Sequence, residues 1–234
     1  MSQLNQRVGD VLKVLANVVE NFSPAVFANS FGAEDMVLTD LIAKHYPEIE
    51  MFSLDTGRLP QPTYDLMQTL RGRYSLTLQV YFPKDSQVEG YVAKNGVNGF
   101  YDSVEARKAC CHVRKVAPLK RALNSKKAWI TGLRREQATV RANLELAAFD
   151  ADNGLHKFNP LLEWTHAEVW EYIKSNDVPY NRLHDQFYPS IGCAPCTRAI
   201  AQGEDIRAGR WWWEAPEGKE CGLHVQSTAK KIAE

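Results

Sequence analysis

Short apolar segments alternate with amphipathic segments through the first 132 residues, and this alternation restricts the fold more than any other feature of the sequence. The apolar segments have the length of strands: "PAVFANS" (24–30), "IEMFSLD" (49–55), "LTLQVYF" (76–82) and "AWITG" (128–132). Strands that alternate with helices form a parallel sheet, because each helix returns the chain to the edge where the previous strand began. The sequence therefore predicts an α/β fold with a doubly wound, mostly parallel sheet.

The segments between these strands carry apolar residues at helical spacing. In the first segment they recur at three and four residues: Leu4, Val8, Val11, Leu12, Leu15, Val18 and Val19. Further helices are predicted over 36–46, 63–74 and about 104–123. A last helix is expected after Thr165, a residue type that caps helix N-termini, with Glu168 at the capping-box position.

Charge and length set the broad class of protein. Lys plus Arg and Asp plus Glu both number 28, so bulk electrostatics gives no reason to expect a nucleic acid or an acidic membrane as partner. Because the chain has no apolar run of about 18 residues and no signal-peptide pattern, we expect a soluble cytoplasmic protein. Its 234 residues predict one domain over 1–209 and a mobile C-terminal tail over 210–234. We also expect a homo-oligomer.

Three polar motifs follow predicted strands directly: "SFGAED", "LDTGRLP" and "TGLRREQ". In an open parallel sheet, ligands lie beyond the carboxyl ends of the strands, so the three loops are expected to meet at one crevice. Ser30 and Gly32 could hold an anion on backbone N–H groups or form a plain turn. Asp55 could accept from ribose or adenine, or cap the next helix. Arg134 could bind phosphate or join a solvated salt bridge.

The five cysteines are spaced like metal ligands with one left over: Cys110 and Cys111 adjacent, Cys193 and Cys196 as C-x-x-C, and Cys221 alone. Four thiolates suit zinc or an iron–sulfur cluster. Neighbouring residues on a helix point about 100° apart, which a bulky cluster accommodates more readily than a single ion. We therefore favour an iron–sulfur cluster, with zinc as the alternative.

Cys221 lies in "KECGLH" near the end of the chain. Nearby Lys219 and His224 would favour its thiolate, and Gly218 and Gly222 would let it move. A thiol that must meet two partners in turn gains from such a tether. The alternative is an unreactive cysteine. The three tryptophans of "RWWWE" (210–214) are expected to pack the tail onto the body or to form a subunit interface.

Eight motifs in order resemble those of the assimilatory adenylyl-sulfate reductases, the iron–sulfur branch of the 3′-phosphoadenylyl-sulfate (PAPS) reductase family: "SFGAED", "LDTGRLP", "RKACCHVRKVAPL", "TGLRREQ", "NPLLEW", "GCAPCTRAI", "GRWWWE" and "ECGLH". The resemblance spans about residues 26–224 and implies an adenine nucleotide α-hydrolase-like fold. Phe31, Glu34 and Asp35 stand where the ATP-cleaving members of that fold have Gly, Asp and Ser. This departure fits a substrate with one phosphate and a sulfate in place of a triphosphate.

The same resemblance implies a role for each motif. Four cysteines would ligate a [4Fe-4S] cluster: Cys110, Cys111, Cys193 and Cys196. Cys221 would be the nucleophile and His224 a second catalytic residue. Four residues would surround the sulfate: Lys115, Arg207, Arg210 and His224. The nucleotide would be held by the three strand-end loops, through Ser30, Phe31, Gly32, Asp55, Thr56, Gly57, Gly132 and Arg134.

The implied reaction is reduction of adenylyl sulfate to sulfite and AMP through an S-sulfocysteine on Cys221. Thioredoxin or a glutaredoxin-like protein would supply the electrons. Relatives that use the 3′-phosphorylated substrate generally lack the four cluster ligands, so their presence points to adenylyl sulfate. Three alternatives stay open: a PAPS reductase, a tRNA-thiolating ATP pyrophosphatase and a zinc-stabilised nucleotide-binding protein.

Overall fold

A six-stranded sheet forms the centre of the molecule in a computed structural model that describes residues 3–137 and 143–215. Its strands are β1 (Ala25–Ala28), β2 (Glu50–Leu54), β3 (Leu78–Tyr81), β4 (Ala128–Ile130), β5 (Ala147–Asp150) and β6 (Leu155–Phe158). The spatial order is β3-β2-β1-β4-β6-β5, with β5 antiparallel to β6 at one edge and all other pairs parallel. The predicted doubly wound, mostly parallel sheet is confirmed.

Seven α-helices surround this sheet in the described parts of the chain. They are α1 (Gln3–Phe22), α2 (Ala33–His45), α3 (Gln61–Arg73), α4 (Asp85–Asn95), α5 (Val104–Cys111), α6 (Ala117–Leu123) and α7 (His166–Ser175). A π-helical segment, His112–Val116, joins α5 to α6, so the single helix predicted over 104–123 is interrupted. Within residues 3–137 and 143–215, no helix has the length and apolarity needed to cross a membrane.

The sheet is covered on both faces, as its apolar strands require. Phe27 of β1 packs in the larger core cluster with side chains of α1, α2, α3 and α7. Its neighbour Val26 points to the opposite face, where it packs with Leu119 and Leu123 of α6. Alternation along one strand thus supplies both cores, because successive side chains of a strand point to opposite faces.

The first polar loop follows β1, the strand at which the order of strands across the sheet reverses. From β1 the chain moves to β2 and β3 on one side, and then returns to β4 and β6 on the other. The chain thus leaves β1 and β4 towards opposite edges of the sheet, and in an open parallel sheet this is where a ligand crevice forms at the carboxyl ends of the strands. This crevice is where the sequence places its polar motifs.

The predicted cap of α7 is confirmed in both directions. Thr165 Oγ1 accepts a hydrogen bond from the backbone N–H of Glu168 at 3.1 Å, and Glu168 Oε2 accepts one from the backbone N–H of Thr165 at 2.7 Å. These bonds satisfy two backbone donors that a helix start leaves without partners. The helix therefore begins at a fixed residue and presents Tyr172 to the core.

Tyr172 joins three helical segments through a buried carboxylate. Asp40 of α2 accepts hydrogen bonds from the hydroxyls of Tyr172, at 2.7 Å, and Tyr74, at 2.8 Å. Lys44 lies 2.7 Å from the same carboxylate. Because an ionised group excluded from water needs these donors, the network ties α2 to α7 and to the end of α3.

We expect Tyr172→Phe to lower the free energy of unfolding by about 2 kcal/mol, because it removes a hydrogen bond to a buried charged group. Urea titration followed by circular dichroism measures the change. Tyr180→Phe is the matched control: its hydroxyl bonds Asp185 at an exposed site, so about 0.5 kcal/mol or less is expected. Equal losses in the two variants would contradict a special role for the Asp40 network.

Candidate functional site

A cavity of about 230 Å³ opens at the carboxyl ends of β1, β2 and β4, where the strand order reverses. Seven of the site residues expected from the sequence line it: Ser30, Gly32, Thr56, Lys115, Gly132, Arg207 and Arg210. They come from the three strand-end loops, the π-helical segment and the chain after the C-x-x-C motif. The expected convergence of the loops on one crevice is therefore seen in the fold.

The loop after β1 is held by its own side chains. Phe31 adopts a left-handed backbone conformation (φ 63°), its N–H donates to Asn29 Oδ1 at 2.7 Å, and its ring is buried in the core. Ser30 donates from both its N–H and its hydroxyl to Asp35 Oδ2, at 2.7 and 2.6 Å. Burial raises the pKa of Asp35 to about 6, and the bonds from Ser30 oppose that rise. Phe31 thus shapes the loop, and Asp35 engages donors that we expected to face an anion.

In the loop after β2, Thr56 lines the cavity, and Asp55 bonds to neighbouring parts of the protein. Asp55 Oδ1 accepts from the N–H of Gly57 at 2.7 Å and from the hydroxyl of Tyr64 at 2.9 Å. Gly57 has φ 70°, which glycine adopts without strain. Thr56 faces the cavity, and its hydroxyl accepts a hydrogen bond from the Cys193 thiol at 3.3 Å. Asp55 and Gly57 therefore support the loop, and Thr56 connects the cavity to the C-x-x-C motif.

The loop after β4 contains a buried arginine. Arg134 donates to Glu34 at 2.9 Å and to Glu136 at 2.7 Å, and it also donates to the backbone carbonyl of Trp164. Its guanidinium holds the loop against its neighbours through ion pairs, as one of the two alternatives predicted, but the arginine is buried and not solvated. Gly132 lines the cavity where a Cβ atom would collide with the carboxylate of Asp35, so only glycine fits.

Three cations lie on the wall of the cavity: Lys115, Arg207 and Arg210. Arg210 donates to Ser190 Oγ and to the carbonyl of Ile191, each at 3.3 Å. A Cβ atom on Gly192 would collide with this guanidinium, so the absence of a side chain there permits its position. A cationic wall of this kind suits an anionic ligand.

All four cysteines of the expected ligand set line a second, smaller cavity of about 20 Å³. They are free thiols, and Cys110, Cys193 and Cys196 are buried. Four cationic side chains share this lining: Arg58, Arg107, Arg114 and Lys115. Within residues 3–137 and 143–215, no three Cys, His, Asp or Glu side chains are grouped closely enough to hold a metal ion.

Burial changes the acidity of two of these thiols. It raises the pKa of Cys110, and the nearby Arg114 guanidinium opposes the rise. It raises the pKa of Cys196 to about 12, with the neighbouring Cys193 adding to the effect. Both thiols are therefore neutral near pH 7 in the protein without a bound cation.

The π-helical segment connects the two cavities. It begins directly after Cys111, and its Lys115 lines the cysteine cavity as well as the larger one. Arg114 of the same segment donates to the carbonyl of Thr56 at 2.7 Å. One short segment thus carries cations towards both groups of site residues.

The expected tail is packed onto the body at its start. Trp211 is buried, and its ring lies between the guanidinium groups of Arg107, at 4.8 Å, and Arg210, at 4.7 Å. Arg107 also forms a buried ion pair with Glu214 at 2.6 Å. These contacts agree with the packing role predicted for the tryptophans. Cys221 and His224 lie outside the described residues.

Several cavity residues were absent from our sequence prediction. Asn29, Ser53 and Thr131 lie at the ends of β1, β2 and β4, where the strand-end rule could have found them. His184 and Ser190 come from the segment before the C-x-x-C motif. That segment has no strand or helix periodicity, so no local signal pointed to them.

Comparison with known proteins groups the chain with reductases of activated sulfate. The model of the phosphoadenosine phosphosulfate reductase domain matches residues 24–199. The adenosine 5'-phosphosulfate reductase of Allochromatium vinosum is 52% identical over 228 residues, covering 97% of this chain and 89% of that protein. The enzyme of the same name from Burkholderia cepacia is 50% identical over 223 residues, with 95% and 89% covered.

Solved structures agree on the fold. The phosphoadenylyl-sulfate (PAPS) reductase of Candida auris, a phosphate complex, aligns with a TM-score of 0.69 at 29% identity, covering 86% of this chain and 98% of that one. The FMN adenylyltransferase of Candida glabrata aligns with a TM-score of 0.58 at 16% identity, covering 93% and 75%, and shows likeness of fold alone. The chain belongs to the phosphoadenosine phosphosulfate reductase family.

Proposed function

We propose that this protein reduces adenylyl sulfate to sulfite and AMP. The observation that carries the proposal is the sharing of Lys115 by a strand-end cavity with a cationic wall and by a cavity lined with four cysteines. The relatives named adenosine 5'-phosphosulfate reductase support the choice of substrate. A PAPS reductase is the second candidate, because the matching domain and the Candida auris relative carry that name.

The proposed reaction begins at Cys221. Its thiolate attacks the sulfur of the sulfuryl group, the bond from sulfur to the bridging oxygen breaks, and AMP leaves with that electron pair. The product on the enzyme is S-sulfocysteine. A thiolate of thioredoxin, or of a glutaredoxin-like protein, then attacks the sulfur of Cys221, and sulfite leaves with the electron pair of the sulfur–sulfur bond. The second thiol of the reductant resolves the mixed disulfide, so one dithiol supplies both electrons.

The cavity wall provides the charges that this reaction needs. Lys115, Arg207 and Arg210 would surround the sulfate, together with His224 from the tail. Fixed cations stabilise the charge that develops on the sulfuryl oxygens and on the leaving phosphate. The nucleotide would contact Ser30, Gly32, Thr56 and Gly132, which line the cavity. The remaining loop residues would act by holding these four in place: Phe31, Asp55, Gly57 and Arg134.

The four cysteines that line the smaller cavity would hold a [4Fe-4S] cluster, in which each thiolate binds a different iron atom, so the thiols need not meet at a single ion. Two observations support this fit: the thiols converge on one lining from two distant segments, and cationic side chains share that lining. A cluster with four thiolate ligands carries net negative charge, which these cations would balance. When bound, the cluster would supply a fixed charge beside Lys115, and the reducing electrons would come from the dithiol.

A cytoplasmic location and a homo-oligomeric state stay predictions.

We expect protein purified under anaerobic conditions to contain iron and acid-labile sulfide in equal amounts and to absorb visible light. Cys196→Ser should lose most of the iron, because it removes a ligand. Cys221→Ser is the matched control and should keep the iron, because Cys221 is not in the proposed ligand set. A colourless protein containing zinc would contradict the cluster and favour the zinc-stabilised alternative.

We expect Cys221→Ser to release no sulfite while it still binds adenylyl sulfate, because a serine hydroxyl is not ionised at neutral pH. Sulfite release is followed with excess reduced thioredoxin, and binding is followed by calorimetry. Wild-type protein incubated with the nucleotide and no reductant should gain the mass of one sulfonate at Cys221. Turnover by the variant would disprove the covalent route.

We expect Gly192→Ala to weaken the binding of adenylyl sulfate about tenfold or more, because the added methyl group displaces the Arg210 guanidinium from the proposed sulfate site. Binding is measured in the Cys221→Ser background to prevent reaction. The affinity for AMP, which lacks the sulfate, should change little. Gly90→Ala is the matched control, since a Cβ atom there meets no neighbour within 4 Å. If Gly192→Ala weakens the binding of adenylyl sulfate and of AMP by the same factor, Arg210 is not at the sulfate site.

A further inference from the structure

His184 lies on the wall of the strand-end cavity but has no role in the reaction proposed above. It belongs to a 3-10 turn, Arg182–Gln186, between α7 and the C-x-x-C motif. Its Nε2 atom is buried and has no hydrogen-bond partner in the described parts of the chain. Native proteins satisfy nearly all buried polar atoms, so an exception on a cavity wall calls for a partner from the ligand.

The surroundings of the His184 ring distinguish its two nitrogens. Against the larger effect of burial, interaction with the backbone of Tyr188 raises the pKa of the ring, as a carbonyl beside a ring N–H does. Since Nε2 has no such partner, Nδ1 is the donor. Burial lowers the pKa of His184, so the ring is neutral near pH 7. In a neutral ring with its proton on Nδ1, Nε2 carries a lone pair and accepts.

An acceptor at this position complements the donors of the same wall. Arg210 Nε and Trp211 Nε1 are also buried without a hydrogen-bond partner in residues 3–137 and 143–215, and both atoms can only donate. Phosphate and sulfate oxygens suit such donors. They do not suit His184, because an ionised oxyanion has no proton to give to a lone pair.

We propose that Nε2 of His184 accepts a hydrogen bond from a neutral donor of the bound nucleotide, either a ribose hydroxyl or the exocyclic amine of adenine. The inference rests on the proposed nucleotide site and adds a contact at its uncharged end. His184 would then orient the nucleoside while the cations hold the anionic end. If the partner is the 3′-hydroxyl, the same acceptor disfavours a 3′-phosphate, which would place negative charge against the lone pair.

The test compares the affinity of AMP for wild-type protein and for His184→Phe. The phenyl ring keeps the edge-to-face packing of His184 against Trp170, at 5.3 Å between ring centroids, and removes the acceptor. We expect the dissociation constant to rise about tenfold, because a nucleotide donor is left without a partner. His166→Phe is the matched control: its ring also packs against Trp170, at 6.2 Å, and it is not among the cavity-lining residues. Its affinity for AMP should equal that of the wild type.

Three analogues of AMP identify the donor: one without the 2′-hydroxyl, one without the 3′-hydroxyl and one without the exocyclic amine. The analogue that lacks the partner should bind the wild type about tenfold more weakly than AMP and should bind wild type and His184→Phe equally. If His184→Phe does not fold, His184→Leu takes its place in the same series. The inference is overturned if every analogue loses affinity by the same factor in wild type and variant, or if the variant binds AMP as the wild type does.

Failure of this contact and failure of the proposed function give different results. If wild-type protein binds neither AMP nor adenylyl sulfate, the proposed function itself is wrong. If it binds both and the His184 variant binds them equally well, the site stands and only the contact with His184 is lost.

Discussion

Five parallel strands end at the same edge of the sheet, and the position of the larger cavity depends on this constraint. Both faces of the sheet are covered by helices, so polar side chains on the central strands have few places where they meet water or a ligand. The edge at the carboxyl ends is one such place. The reversal between β1 and β4 opens a gap there, and three loops supply its lining.

The cysteine-bearing segments lie outside the sheet and contact the loops at that edge. Thr56 accepts from Cys193, and Arg114 donates to the carbonyl of Thr56, so the loop after β2 touches both cysteine-bearing segments. The guanidinium groups of Arg107 and Arg210 both contact the ring of Trp211, and these contacts hold the chain beyond the C-x-x-C motif in place. Charge supplied by the cysteine-bearing segments therefore reaches the wall of the larger cavity without a separate domain.

The sequence predicted those parts of the molecule whose local pattern matches their burial. Strands β1 to β4 lie within apolar runs of the sequence, whereas β5 and β6 contain exposed or charged positions, and α4 buries only Tyr91. These elements were missed because local periodicity was weak. Ser30 and Gly32 on the cavity wall followed from the strand-end rule, whereas Lys115, Arg207 and Arg210 were expected only from the family resemblance. The burial of Phe31, Asp55 and Arg134 did not follow from it, because the Phe31 ring packs in the core, Asp55 bonds Tyr64 and Arg134 bonds Glu34, and no local pattern shows these contacts.

The π-helical turn after Cys111 sets the angular phase between the cysteines and the cations that follow them. Each residue advances an α-helix by about 100°, so one residue inserted or removed rotates everything downstream by that angle relative to everything upstream. If this turn were one residue shorter, Cys110 would still face the smaller cavity, but Lys115 and Leu119 would no longer face the larger one. The number of residues in the turn is therefore as constrained as their chemistry.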